Sequence, residues 1–334
     1  MKYQPPYTIT PEILNRVAAI SEAIGRLTVL TDQARALRLR RINRIRTIHG
    51  SLAIEGNTLS EAQIAAILEG KRVIAPPREV QEVKNALAAY DRFDTWKPEA
   101  EKDLLEAHRI LMSGLIDEVG LYRHGGVGVM AGNQVIHMAP PAGRVPHLMA
   151  DLFSWLAATD AHSLIAGSVF HYEFEFIHPF ADGNGRMGRL WQSLILARWN
   201  PLFAGIPVES LIFEHQAEYY QSIQESTQKT DSAPFIAFML RMILDTVTSS
   251  TPEVAPEVTP EVRLLSVLAG EMTRQQLKDT LGLKDDEHFR KAYLLPALDA
   301  GLIEMTSPDK PRSSKQKYRL TDKGRQVVAR PGGG

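Results

Sequence analysis

Residues 251–262 read TPEVAPEVTPEV, three tandem copies of Thr/Ala-Pro-Glu-Val. A proline every fourth residue removes one helical donor per turn and clashes with the turn before it, so no helix runs through this stretch. An extended, semi-rigid spacer is expected instead. The chain must therefore fold as separate bodies on either side of it. The expected division is an N-terminal helical region over 1–74, a core over 75–248, a Pro-rich linker over 249–262 and a small domain over 263–330. With 334 residues and 44% hydrophobic content, the larger body can bury a substantial core.

Apolar residues recur at helical spacing over 11–27, 60–68, 77–93, 101–116, 145–158 and 186–199. Thr10 before Pro11 and Ser60 before Glu61 read as helix starts. The segment 123–141, RHGGVGVMAGNQVIHMAPP, breaks the pattern. Val127, Val129, Val135 and Ile136 flank a Gly-Asn-Gln turn, which predicts a short β-hairpin in a mainly α chain. An isolated hairpin is marginal unless it packs on something or serves a partner. In the small domain, three helices over 262–269, 273–281 and 285–300 followed by two strands near 301–306 and 317–321 predict a winged helix-turn-helix. Residues 263–330 hold 14 Lys/Arg against 9 Asp/Glu, whereas the whole chain holds 38 against 39.

The chain has no cysteine, which excludes a disulfide framework, a thiolate zinc site and a cysteine nucleophile. There is no apolar run of roughly 18 residues, so no membrane partner is expected. The start MKYQPPYTIT lacks a basic stretch followed by an apolar one, so a cytoplasmic location is expected. Near-neutral total charge argues against indiscriminate nucleic-acid coating.

The chemistry concentrates in 178–189, HPFADGNGRMGR, between the apolar run 170–177 and an apolar helix. Gly183 and Gly185 free the backbone for a tight turn that presents successive N–H groups, and the helix that follows adds its positive end. Together they make a phosphate cradle. Arg186 and Arg189 lie three apart on one face, within reach of phosphate oxygens. Two cations at a helix N-terminus oppose the helix dipole, and an anionic ligand explains them. Asp182 offers a hard oxygen for Mg²⁺, which a polyphosphate brings. His178 supplies a base near neutral pH. An EF-hand would need further acids where Arg186 stands, and a Walker loop would need a terminal Gly-Lys-Ser/Thr. The competing plain reading is a glycine turn with a structural histidine.

HPFADGNGRMGR resembles the signature of Fic-domain proteins, His-Pro-Phe-x-Asp/Glu-Gly-Asn-Gly/Lys-Arg-x-x-Arg, at every defined position. LLEAHRILMSGLIDEVGLYR, VPHLMADLFSWL and AEYYQSI look like the rest of the Fic core, and the resemblance covers about 75–245. It implies a Fic-type helical bundle with a hairpin flap, and an enzyme that moves AMP from ATP, with Mg²⁺, to a Ser, Thr or Tyr hydroxyl of a protein target. By the same resemblance His178 would be the base and Asp182 would hold Mg²⁺. Gly183, Asn184, Gly185 and Arg186 would bind the phosphates, with Arg189 toward the γ-phosphate. Val127, Val129 and Met130 would lie on a flap that aligns the target by strand addition. Tyr219 and Tyr220 would line the adenine pocket, with core packing as the competing reading for two adjacent tyrosines.

Upstream, SLAIEGN at 51–57 looks by itself like a helix end with Gly56 as a left-handed cap. Beside a Fic core, Ser51-x-x-x-Glu55-Gly resembles the family's inhibitory motif, in which the glutamate pairs with the last arginine and displaces the γ-phosphate. In some relatives that glutamate serves removal of AMP. Self-modification and a homodimer are further expectations from the resemblance. His108, His162 and His171 read as structural or surface histidines, and Arg35, Arg38, Arg40, Arg41, Arg44 and Arg46 as a solvated helix face.

The small domain resembles winged helices appended to bacterial Fic proteins. It would bind DNA, with 288–293 in a groove and 310–317 as the wing, or bind a protein. Asp285, Asp286 and Glu287 at the start of the recognition helix weaken the DNA reading. The alternative for the whole chain is a regulatory DNA- or protein-binding protein with a quiescent or nucleotide-sensing Fic site. A donor other than ATP is a third reading.

Overall fold

The structure is a computed structural model. It describes residues 3–250 apart from 31–32, 127 and 132–133, and residues 264–329 apart from 266, 269, 284, 308, 310–312 and 314–315. The chain forms two compact units, Met1–Thr251 and Pro252–Gly334, dividing at the Pro-rich repeat.

The first unit is a helical bundle built around α7 (Ser163–Ile177) and α8 (Asn184–Trp199), which pack along each other. Helix α7 is apolar on nearly all sides and buried along almost its whole length, so it is the central helix rather than an amphipathic surface one. Around the pair, α1 (Pro11–Leu30) lies on α11 (Ala233–Ser250), and α2 (Gln33–Ile54) lies on α9 (Val208–Glu214). Helix α4 (Pro77–Arg92) packs on α5 (Glu101–Leu111), and α6 (Val145–Ala158) covers α7. Helix α3 (Glu61–Leu68) starts with a capping box between Ser60 and Gln63. The Oγ1 of Thr10 accepts from Ile13 N–H at 3.2 Å at the start of α1. Both start signals read from the sequence are therefore used.

One boundary and one side-chain reading differ from expectation. The helix expected over 101–116 ends at Leu111, because Gly114 takes φ 70° and turns the chain out of the helix. Arg44 is not merely a solvated charge on α2: it donates to Leu87 O at 2.7 Å and pairs with Asp91 at 2.8 Å, tying α2 to α4. The hairpin is present. Strands β1 (Gly128–Ala131) and β2 (Gln134–Met138) pair antiparallel, Val129 opposite His137 and Met130 opposite Val135, with an irregularity between Val129 and Met130. Val127 lies outside the described residues.

The second unit has its own core of Leu264, Leu277, Phe289, Tyr293, Ile303 and Tyr318, among others. A capping box of Thr273 and Gln276 opens the helix Arg274–Thr280. The helical stretch that begins at Asp286–Phe289 widens into a π turn over Arg290–Leu294, just before Pro296 withholds its donor. Strands β3 (Met272–Thr273), β4 (Ile303–Met305) and β5 (Lys317–Leu320) form an antiparallel sheet in the order β3-β5-β4. Strand β3 was not expected because two residues show no alternation, and neither was the terminal helix Asp322–Ala329.

Candidate active site

The last turn of α7 ends at His178, which takes a left-handed conformation (φ 51°, ψ 62°) while its N–H still donates to Phe174 O. That geometry costs a non-glycine residue about 1 kcal/mol or more, and it holds only when the surroundings impose it. Arg123 imposes it. This buried guanidinium donates from Nε to His178 O at 2.7 Å and from Nη2 to Ile177 O at 3.2 Å and Pro140 O at 2.6 Å. Its Nη1 donates to Gly125 O at 2.7 Å, and its backbone N–H to Pro179 O at 2.9 Å. One side chain thus ties the end of α7 to both ends of the hairpin segment. Nothing in the sequence distinguishes Arg123 from other single arginines.

Two further braces shape the loop that follows. The side chain of Asn184, 2% exposed, accepts from Phe180 N–H and donates to Phe180 O, each at 2.9 Å. His108 accepts from Gly120 N–H on Nδ1 at 2.8 Å, so Nε2 carries the proton and donates to Asp182 O at 3.0 Å. Its ring stacks on Phe180 with 3.7 Å between centroids, and burial pushes its pKa down to about 4, leaving it neutral. His108 is structural, as expected. So is His162, which caps α7 by accepting from Leu164 N–H.

Helix α8 then begins at Gly183, φ 83°, with no side chain capping its first turn. A β-carbon at Gly183 would lie 2.6 Å from the sulfur of Met112, so both conformation and space call for glycine. The first N–H groups of a helix have no intrahelical acceptor. Here no capping side chain takes them either, which leaves them available to an anion. Arg186, 5% exposed, reaches Asp182 Oδ1 at 3.3 Å and Glu82 Oε1 at 3.5 Å. The partly exposed Asp182 accepts from Gly183 N–H at 2.6 Å and faces Arg78 at 3.5 Å.

Arg189, 2% exposed, is held by α2. It donates to Ser51 Oγ at 3.2 Å, Ser51 O at 3.0 Å and Glu55 Oε1 at 2.6 Å. Burial alone would lower its pKa, but Glu55, with Tyr219 and Glu175, raises it well above the usual value, so Arg189 is charged throughout. The same Glu55 oxygen crowds the position a β-carbon would take at Gly185. A carboxylate thus lies over the anion cradle itself. Gly56 caps the end of α2 at φ 90°, as its sequence position predicts.

The fold therefore brings together Ser51, Glu55, His178, Asp182, Gly183, Asn184, Gly185, Arg186 and Arg189. It treats the tyrosine pair unequally. Tyr219, 1% exposed, packs against Phe235 and Phe238, and its hydroxyl meets His171 Nε2 at 3.1 Å. Tyr220 is only partly buried, edge-on to Tyr219. Among the described residues no group of three His, Cys, Asp or Glu side chains is placed to hold a metal. A single carboxylate such as Asp182, beside helix N–H groups free to take phosphate, would fit Mg²⁺, which takes one or two protein carboxylates and completes its shell with phosphate oxygens and water.

Comparisons with known proteins place the chain in a family. A model of the Fic/DOC family matches residues 98–196, and one described as "Filamentation induced by cAMP protein Fic-like, C-terminal domain" matches residues 260–321. Among curated proteins, the protein adenylyltransferase Fic of Culex quinquefasciatus is 33% identical over 207 residues, covering 58% of this chain and 39% of that protein. The chain spans less than half the length of the curated relatives compared. Among solved structures, Fic-1 (aa134 - 508) from C. elegans is 26% identical with a TM-score of 0.60, over 71% of each chain. A Fic family protein from Desulfovibrio desulfuricans G20 is 53% identical with a TM-score of 0.74, over 96% of this chain and 99% of that one. Matched nearly end to end at that identity, the chain belongs to the Fic family.

Proposed function

We infer that the protein is a protein adenylyltransferase that moves AMP from ATP onto a Ser, Thr or Tyr hydroxyl, restrained by Glu55. One observation carries the reading: just after His178, an uncapped helix N-terminus with two buried arginines has a carboxylate, Glu55, against Gly185 and Arg189. The family relatives named protein adenylyltransferase support ATP as donor and a protein as acceptor.

In this reading the backbone N–H groups at Gly183, Asn184 and Gly185, together with Arg186, bind the α- and β-phosphates. Asp182 holds Mg²⁺, which when bound supplies neutralising charge at those phosphates. His178 Nε2 takes the proton of the target hydroxyl as its oxygen attacks the α-phosphorus. The bond to the bridging oxygen breaks, and pyrophosphate leaves with the electron pair. Arg189 is the γ-phosphate ligand, and it becomes available only when Glu55 lets go. The flap carrying Val127, Val129 and Met130 aligns the target by strand addition. Tyr220 faces the adenine, with Tyr219 packed behind it. The setting is cytoplasmic, where ATP is plentiful; no helix of the described residues is long and apolar enough to cross a membrane.

The second unit we read as a winged helix that docks protein rather than DNA. Among its described cations, Lys278 pairs with Asp286 at 2.7 Å and Arg319 with Glu304 at 2.7 Å. A duplex-DNA shift that weakens with salt and disappears on neutralising Lys315, Lys317 and Arg319 would overturn that part.

The deciding experiment incubates wild type, Glu55→Gly and Glu55→Gly/His178→Ala with labelled ATP, UTP, GTP and CTP. Protein labelling by ATP in Glu55→Gly, lost with His178→Ala, is the expected result. If no nucleotide labels protein even in Glu55→Gly, the transferase reading falls and a nucleotide-sensing or quiescent site takes its place.

A further inference from the structure

Behind His178 lies a buried carboxylate that the mechanism above does not use. Glu175, 5% exposed, sits on the last turn of α7, three residues before His178. Its Oε2 is 3.9 Å from His178 Nδ1, and its Oε1 is 3.7 Å from His171 Nε2. Neither His178 Nδ1 nor Glu175 Oε1 has a hydrogen-bond partner, and both atoms are buried. The remaining neighbours are engaged elsewhere. His171 gives Nδ1 to Gln192 Oε1 at 2.6 Å and shares Nε2 with the Tyr219 hydroxyl at 3.1 Å. Gln192 in turn donates to Ser168 Oγ at 3.2 Å. Among the described residues, the donors facing Glu175 are thus His171 on the Oε1 side and His178 Nδ1–H on the Oε2 side.

A buried acid held only by long contacts is costly, and an apolar residue would serve packing better at this position of a central helix. The groups facing Glu175 are His171 on its own helix, His178 at its end, Arg189 on α8, and Tyr219 and Tyr220 on α10 (Gln216–Lys229). Burial works to raise the Glu175 carboxyl, but His171, His178 and Arg189 outweigh it and hold it below the usual carboxylate range, so it is charged.

We propose that Glu175 is the positioning residue for His178, taking a hydrogen bond from Nδ1–H so that Nε2 presents its lone pair to the target hydroxyl. The separation of 3.9 Å must close by about 1 Å, a tightening common when an unliganded site takes up substrate. Once Nε2 has accepted the hydroxyl proton, the charge of Glu175 stabilises the imidazolium while pyrophosphate departs, the part a carboxylate plays behind a catalytic histidine in hydrolase triads. The catalytic consequence rests on the transferase reading of the site; the placement of the proton does not.

The test therefore has two arms. In the first, ¹⁵N spectra of the His178 ring are compared for Glu55→Gly, Glu55→Gly/Glu175→Gln and Glu55→Gly/Glu175→Val, without nucleotide. The Nδ1–H form should predominate in the parent and give way to Nε2–H in both variants. In the second, transfer kinetics should show kcat lowered about tenfold or more with KM for ATP within about twofold, as expected for a group acting only as the proton moves. Far-ultraviolet dichroism and ATP binding report whether the variants fold, and valine suits the apolar surroundings if glutamine does not. An unchanged tautomer in both folded variants overturns the proposal. If Glu55→Gly transfers no AMP but the tautomer shifts, the transferase reading fails and the role of Glu175 in placing the proton stands.

Discussion

Glu55 Oε1 accepts a 2.6 Å hydrogen bond from Nη2 of Arg189, joining α2 to α8 across a separation of 134 residues. The guanidinium has a second anchor on the same helix, because Ser51 offers both its carbonyl and its hydroxyl. Serine in the last turn of α2 and glutamate in the turn that follows it thus make a socket for a single arginine. The carboxylate is about one-third exposed whereas Arg189 is fully buried, so a competing anion meets the glutamate from the solvent side.

Glu55→Gly leaves Arg189 bonded to Ser51 but frees its outer face. ATP-dependent labelling of protein should rise at least tenfold, and Glu55→Gln, which keeps the shape without the charge, should fall between the two. The lost pair should cost about 1–2 kcal/mol in urea unfolding, less than a fully buried pair because Glu55 is partly solvated. Labelling equal to wild type in both variants would show that Glu55 is no brake.

Asn184→Ala removes both partners of the Phe180 backbone and leaves two buried polar groups unsatisfied. A loss of about 2–3 kcal/mol is expected. Introduced into Glu55→Gly, the substitution should abolish transfer and weaken nucleotide binding, since the loop carrying His178 and Asp182 loses its brace. Calorimetry of unfolding and of ATP binding measures both effects.

A β-carbon at Gly50 would stand 2.6 Å from the backbone of Glu209, where α2 crosses α9. Gly50→Ala should therefore push α2 outward and destabilise by about 1–3 kcal/mol. Because Ser51 follows directly and Glu55 lies just past the end of α2, basal transfer should rise above wild type. A lower melting temperature without added transfer would mean that the crossing and the brake are uncoupled.

Burial pushes the carboxyl of Glu209 up to about 7 from an ordinary 4.5, with Ser193 and Arg189 acting in the opposite direction. The folded chain binds this proton more tightly than the unfolded one. The contribution to stability is thus fully present below the ordinary value and is lost as pH rises through 7. Glu209→Gln should stabilise by about 1–3 kcal/mol at pH 8 and have little effect at pH 5, read from thermal melts at the two pH values.

The parts of this protein that were legible from residues alone are those whose physics is local. The proline repeat separates two bodies because proline acts on its own turn, and Ser60, Thr10 and Gly56 mark helix ends because caps bond within a few residues. The loop 178–189 was readable because a cradle made of consecutive backbone N–H groups needs its glycines and cations adjacent in the chain. Strand β3 and the early end of α5 were not readable, because two residues carry no period and a single glycine competes with an otherwise helical pattern.

The division into two units and the helical class follow from residues alone, as does the placing of glycines and arginines in one loop at 178–189. The pairing of Glu55 with Arg189 could be expected from its motif, whereas the braces that hold the loop came from the packing of the fold. Arg123, His108 and Glu175 come from separate segments or the far face of a helix, and their partners are backbone carbonyls or buried atoms that leave no spacing in the chain. The two tyrosines are adjacent and chemically alike, yet one is core and the other borders the site. Burial separates them, and burial depends on the helices packed around them.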